Sequence, residues 1–522
     1  MSTSSSTLRA AQRTSRAAAL FSLALLPLAL SPQLLAQAAF NPAPIPVAAA
    51  DPAIAAALQQ VSPDRIQATI SRLVSFNNRS TLSSMETDLP AGTGASAAAD
   101  WIESELKHIS ADCNGCLEVK RDDFVEPPQP GPAARILKPT RITNVYAILR
   151  GTDPAQAARM VLVTGHYDSR NSDTLNTHAA APGANDDASG VSVSLECARV
   201  LSKLKFPSSI VFVAVAGEEQ GLNGSQHLAK LAKAEGWPLE AVLNNDIVGG
   251  DTTPGATGAD KSAVRVFSEG VPGPTTPQEL RMIQTLGAEN DSPSRELARA
   301  IQDVDHTYFS PSMQKPASPG PGRAHSNLIL NVPAFHPVLI FRRDRYLRGG
   351  DHTSFNAQGF TAVRFTEWRE NFDHQHQDVR TENGKQFGDL LQYVDFKYVA
   401  NVARLNAATL ADLASAPGIP QNVHIVTTAL DNDTELNWTA PAGMPANGSY
   451  EVVWRATEDS TWTTFVSAGT ATTIKLPLSK DNVVFGVRSV DPAGHRSPAV
   501  LPVPAHPLPP AGQPMPQVHQ NK

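Results

Sequence analysis

Six short runs rich in valine and isoleucine set the tightest limit on how this chain folds: NVYAIL, MVLVTGHYD, SIVFVAVAGEE, LEAVLNNDIV, HPVLIF and TAVRFTE. They are short for helices, and nearly continuous in apolar residues where a half-exposed strand would alternate. Strands of this kind belong in a sheet buried on both faces, which needs helices as cover. Helical spacing supplies that cover through Trp101, Ile102, Leu106 and Ile109, and again over 188–204 and 225–235. The expected fold class is α/β, with a central, mostly parallel mixed sheet sandwiched by helices.

The runs end on chemically active residues. MVLVTGHYD stops at His166, FVAVAGEEQG at Glu218 and Glu219, and LNNDIVGG at Asp246. PGANDDASG adds Asp186 and Asp187, and FDHQHQD adds His374 and His376. Taken singly, a histidine at a strand end is a hydrogen-bonded structural residue, and two aspartates before a helix are caps. Taken together they ask for more. Sites in α/β sheets form at the carboxyl ends of strands, and paired buried carboxylates repel unless a cation lies between them. Imidazole mixed with carboxylate suits zinc better than magnesium or calcium. With one carboxylate shared, five ligands hold two zinc ions about 3.5–4 Å apart.

The motifs GHYDS, PGANDDASG, AGEEQGLNGS, NNDIVG and DHQHQD make residues 51–415 resemble the secreted co-catalytic zinc aminopeptidases of the bacterial leucyl aminopeptidase type. The resemblance implies a zinc exopeptidase fold and removal of N-terminal residues from peptide substrates. It implies two Zn2+ per chain, one on His166 and Asp246, the other on Glu219 and His374, with Asp186 bridging. Glu218 is then the general base for a zinc-bound hydroxide, and Asp168 fixes the tautomer of His166. Asp187 falls to a cap or supporting group, and His352, in GGDHTSF, to a supporting role. His376 rivals His374; the family pattern places an aspartate four residues after the ligand, and Asp378 favours His374. Two other functions share this fold, a glutaminyl cyclase-like acyltransferase working with one zinc and a non-catalytic binding protein. The complete ligand set argues against both. The chain departs from the family over 251–346, a long Pro- and Gly-rich insertion expected to roof the cleft. Its end and the residues after it, FRRDRYLRGGDH, suggest that Arg345 or Arg348 holds the carboxylate of a short peptide.

The ends of the chain have other signatures. Arg9, Arg13 and Arg16, an apolar run, and Ala36-Gln37-Ala38 have the order of a signal peptide over 1–38. It predicts export to the periplasm or medium, with no stable membrane insertion once it is removed. A Pro/Ala-rich spacer covers 39–50. The formal net charge of -7 carries no basic footprint for nucleic acid. Three cysteines exclude a Cys-based zinc site; Cys113 and Cys116 read as a local disulfide and Cys197 as a buried thiol. Residues 417–502, with TELNWTA, SYEVVWRA and VRSVDPAGHRSP, resemble a fibronectin type III module, a small all-β sandwich. It is expected to contact a surface or polymer. No candidate ligand lies in it, so its removal is expected to leave hydrolysis of a small substrate nearly unchanged. A disordered Pro-rich tail is expected over 503–522.

Overall fold

The computed structural model describes residues 40–309, 335–428 and 431–505. The expected signal peptide and the chain from 506 onward lie outside them. Among the described residues no helix is long and apolar enough to cross a membrane.

Eight strands form one mixed sheet. In chain order they are β1 (Leu117–Glu126), β2 (Thr140–Leu149), β3 (Met160–His166), β4 (Ser209–Val215), β5 (Leu239–Asn245), β6 (Ala263–Ser268), β7 (His336–Ile340) and β8 (Ala362–Glu367). Across the sheet they run β1-β2-β4-β3-β5-β8-β6-β7. The four central strands, β4, β3, β5 and β8, are parallel. The antiparallel pairs are β1-β2, β2-β4 and β6-β8.

The missing alternation in the sequence has a direct cause. Along β3, Val161 and Val163 enter the larger core, while Met160 and Leu162 enter a smaller core on the opposite face. The larger core is covered by α1 (Pro63–Val74), α2 (Gly94–Asp112), α3 (Ala188–Leu201) and α7 (Phe396–Ser415), through Ile66, Ile102, Val193 and Val402 among others. The smaller is covered by α4 (Asn223–Ala234) and α6 (His352–Ala357), through Leu228 and Phe355. Burying a side chain of this size contributes about 1.5–3 kcal/mol, so both faces of the central strands must be apolar. Cys113 and Cys116 close a disulfide between α2 and β1, and Cys197 is a buried free thiol.

The described parts of 251–346, residues 251–309 and 335–346, have another place than the roof expected for the segment. Its AVRVFS run is β6, its HPVLI run is β7, and together they extend the sheet past β8. The helix α5 (Pro293–Tyr308) packs on this extension. Among its described residues, the end of the segment, at Arg345, lines the cleft described below.

Beyond α7 the chain forms two four-stranded sheets. One contains Ser449–Ala456 and Val483–Val490, the other Gln421–Ile425 and Thr434–Thr439. The rings of Trp438 and Tyr450, one from each sheet, meet edge to face at 5.4 Å. The expected spacer is part of this unit. Ala43 and Pro44 pair with Thr464 and Phe465 at an edge, where a proline costs no ladder hydrogen bond.

This all-β unit does not hang free. Trp462 Nε1 donates to Glu296 of α5 at 2.9 Å, Arg299 Nε to the Ser460 carbonyl at 2.7 Å, and Arg488 pairs with Asp303 at 2.8 Å. Arg455, only 2% exposed, pairs with Asp291 just before α5. The module was expected to be dispensable for hydrolysis of a small substrate, but not for stability: its interface is charged and buried, so removing it strips partners from Glu296, Asp291 and Arg299. Breaking a buried pair from one side costs about 3–5 kcal/mol. Arg455→Ala should therefore lower stability by that order, and truncation after residue 416 by more. Urea unfolding followed by circular dichroism reads both. Equal midpoints for full-length and truncated chains would show that the interface adds nothing.

Candidate metal centre

The parallel register of the central strands brings the candidate residues to one edge. His166 lies opposite Val215, three residues before Glu218, and Thr164 lies opposite Asn244, two before Asp246. His166 therefore ends β3 where the loops after β4 and β5 begin. Asp186 arrives from the long connection between β3 and α3. The start of α3 comes close because two glycines face each other. A Cβ on Gly190 would stand 2.2 Å from the Asn245 carbonyl oxygen, and one on Gly165 would stand 2.4 Å from the carbonyl carbon of Gly190. Only glycine fits such an approach.

Two groups of side chains result. His166, Asp186 and Asp246 form one; Asp186, Glu219 and His376 form the other. Asp186 belongs to both. Its Oδ1 is 3.1 Å from His166 Nε2, and its Oδ2 is 2.9 Å from His376 Nε2. His166 Nε2 is 3.9 Å from Asp246 Oδ1, and His376 Nε2 is 3.1 Å from Glu219 Oε1. His166 Nε2 and Glu219 Oε1 are buried and make no well-aligned hydrogen bond. Buried polar atoms without partners cost free energy, and a cation between them removes that cost. The donor set, imidazole nitrogen with carboxylate oxygen, fits zinc.

His374 is not in either group, and this corrects the reading of DHQHQD. The His374 ring stacks on Tyr393 at 3.9 Å and its Nδ1 lies 3.5 Å from Asp251. Asp378, which favoured His374, accepts from the Ser172 hydroxyl at 2.8 Å. The physical reason is backbone direction. The chain turns at Asn371, whose carbonyl accepts from His374 N and Gln375 N, and His376 takes a left-handed φ of 58°. That turn aims His376 at the carboxylates and His374 away from them.

The supporting shell is dense. Asp168 accepts from the backbone N–H groups of Glu218 at 3.4 Å and Glu219 at 3.2 Å, and its Oδ1 lies 3.4 Å from His166 Nδ1. One carboxylate thus positions a histidine and the loop carrying both glutamates. Asp187 caps α3 through Gly190 N at 2.8 Å and also accepts from His166 N at 3.0 Å. His352 is buried and donates to the Arg343 carbonyl at 2.8 Å; burial pushes it down to about 4, so it is neutral.

Several contributors carry no local sequence signal. Asp389 accepts from Asp186 N at 2.7 Å, and Gln375 donates to Asp186 Oδ2 at 3.1 Å. Arg364 pairs with Asp246 at 3.0 Å, and Arg170 Nε lies 3.0 Å from Glu219 Oε2. Buried Arg79 ties the end of β3 to the Asp186 loop, donating to the carbonyls of Tyr167 at 2.6 Å and Gly183 at 2.9 Å. Arg79, Arg364 and Asp389 lie outside the ligand motifs, while Gln375 sits inside DHQHQD and Arg170 directly follows GHYDS.

Electrostatics follow from burial and pairing. Burial alone would raise Asp186 and Asp246. His376 and His166 hold Asp186 well below the usual carboxylate range, and Arg364 and His166 hold Asp246 below it. Burial would lower His166, but Asp168, Asp186 and Asp246 raise it well above its ordinary value. Glu218 stands in the cleft outside both groups. Desolvation pushes it well above the usual carboxylate range; His166 opposes this, and Asp246, Glu219 and Asp351 add to it.

The profile of peptidase family M28 matches residues 144–295, which include every candidate ligand except the histidine of the DHQHQD loop. A probable zinc metalloprotease of Leptosphaeria maculans is 44% identical over 452 residues, covering 86% of this chain and 97% of that protein. One from Pyricularia oryzae is 44% identical over 461 residues, covering 87% and 85%. Among solved structures, the LapA aminopeptidase of Legionella pneumophila superposes with a TM-score of 0.46 at 19% identity, over 71% of this chain and 76% of that one.

The geometry separates the two histidines experimentally. His376→Ala should reduce bound zinc from about two ions per chain to about one, whereas His374→Ala should keep both. Elemental analysis after gel filtration decides; zinc lost from the His374 variant and kept by the other reverses the correction.

A pH dependence follows from His166. Both its ring nitrogens face oxygens and its pKa is raised, so the metal-free imidazole is protonated at neutral pH. Zinc must displace that proton, and its affinity should fall as pH falls. Calorimetric titration of the metal-free protein at pH 7, in buffers of different ionisation enthalpy, should show proton release. Identical heats in all buffers would show His166 neutral before metal arrives.

Proposed function

This chain belongs to peptidase family M28, and we propose that it is a zinc-dependent exopeptidase removing N-terminal residues from short peptides. The observation that carries this is the pair of ligand groups sharing Asp186, with Glu218 unligated beside them. His166, Asp186 and Asp246 would hold one zinc, and Asp186, Glu219 and His376 the other. Zinc bound there supplies Lewis-acid polarisation of a carbonyl and acidifies a coordinated water. Glu218 takes the proton of the attacking water and returns it to the leaving amine. Desolvation raises its pKa, which strengthens it as a proton acceptor. Asp168 keeps Glu218 in place through its backbone N–H. The cleft at these residues has a volume of about 570 Å3, the size of a small-ligand pocket rather than a groove for a long chain. That size favours a terminal residue with its neighbour. The ordered signature at the N-terminus supports export of the enzyme.

Glu218→Gln should retain both zinc ions while kcat falls by about 10²–10⁴-fold. Leucine p-nitroanilide should be cleaved, and its Nα-acetyl derivative should not. Equal cleavage of the free and acetylated substrates would end the aminopeptidase reading, and zinc loss from the Glu218 variant would reassign the glutamate pair.

A further inference from the structure

The walls of the cleft carry more positive charge than they have partners for. Arg135, Arg170, Arg345 and Arg348 all line it. Of the pocket's acidic residues, Asp186, Glu219 and Asp246 are assigned to metal and Glu218 to proton transfer, so they compensate little of this. Arg170 is taken up by Glu219 and His376. Arg345 is locked between Asp344 at 2.9 Å and Glu370 at 2.7 Å, which removes it from the pair of arginines expected to meet substrate.

The remaining two differ. Arg348 is 34% exposed and shares Glu370, at 2.9 Å, with Arg345 and Arg265, so one carboxylate serves three guanidinium groups. Arg135 is exposed and donates through Nη1 to the Glu219 carbonyl at 2.8 Å, with no carboxylate partner among the described residues. The two stand on different sides of the site. Arg135 is tied to the Glu219 loop; Arg348 is two residues from Gly350, which abuts Arg364 and Asp246. A guanidinium held at one corner keeps its other N–H groups aimed and available, the arrangement that forks onto a carboxylate.

We propose that Arg135 and Arg348 form a carboxylate-binding pair that selects peptides bearing a carboxylate just beyond the scissile bond. This rests on the exopeptidase reading above. The carboxylate is either the free C-terminus of a di- or tripeptide or the side chain of an acidic residue following the cleaved bond. Neither arginine touches the reacting atoms; both determine specificity.

The test compares leucyl-leucine, leucyl-leucinamide, leucyl-glutamic acid α-amide (its side-chain carboxylate free) and leucine p-nitroanilide on the zinc-loaded full chain. A charge-assisted hydrogen bond is worth roughly a ten- to hundredfold preference. The free acid should exceed its amide by that factor in kcat/KM, chiefly through KM. Arg135→Ala and Arg348→Ala should each shrink the ratio towards one, and Arg135→Lys should restore part of it. The glutamyl amide matching the free acid would assign the carboxylate to a side chain; matching the leucinamide would assign it to the C-terminus. Equal handling of acid, amide and glutamyl amide by a wild type that cleaves the anilide overturns the pair and leaves the exopeptidase standing. If no substrate is cleaved, the exopeptidase reading fails. Calorimetric binding of leucyl-leucine against its amide to the Glu218→Gln protein then still decides: tighter acid binding, lost in Glu218→Gln/Arg135→Ala, supports the pair, and equal binding overturns it.

Discussion

Asp186 is the carboxylate on which both ligand groups converge. Its two oxygens face two histidines in different ligand groups, and Glu219, Asp246 and Asp187 are buried around it. Carboxylates packed this closely raise one another's pKa unless cations intervene. Two guanidinium groups, Arg364 on Asp246 and Arg170 on Glu219, offset part of the charge. The remainder is what a pair of divalent ions would neutralise. The backbone is arranged to keep Asp186 central. Asp389 holds its N–H, Gln375 one oxygen, and Arg79 the loop on which it rides.

That arrangement depends on the sheet. Parallel strands release their loops at a common edge, and the in-register pairing of β3 with β4 and β5 sets the heights at which His166, Glu219 and Asp246 emerge. The apolar faces of those strands therefore bear on catalysis as well as stability. A shift of β5 against β3 by one residue would turn Asp246 to the opposite face. The all-β unit acts at one remove, bracing α5, which packs on the β6–β7 extension of the same sheet.

Much of this was legible in the sequence because the signals were local. The runs around Leu162, Val211 and Val242 lacked alternation, and each is buried on both faces of the sheet. His166, Glu219 and Asp246 each stood at or near the end of such a run, Asp186 stood in the loop before a helix, and all four do meet. Other parts were not legible. AVRVFS was read as part of an insertion, since a six-residue run in a Pro- and Gly-rich stretch has no signal separating a strand from a loop; pairing with β8 and β7 decided it. The interface made by Arg455, Trp462 and Arg488 joins residues more than 150 positions apart and has no motif.

DHQHQD marks the boundary between the two kinds of information. The resemblance of DHQHQD to the family motif implied that the loop after β8 would supply an imidazole to a carboxylate-rich edge. Which imidazole was a tertiary matter. His374 and His376 are chemically identical, and the one sequence neighbour used to distinguish them, Asp378, pointed to His374. The turn at Asn371, the left-handed backbone at His376 and the Tyr393 ring waiting for His374 select His376. Direction in space comes from backbone dihedrals and packing partners, and those exist only once the chain has folded.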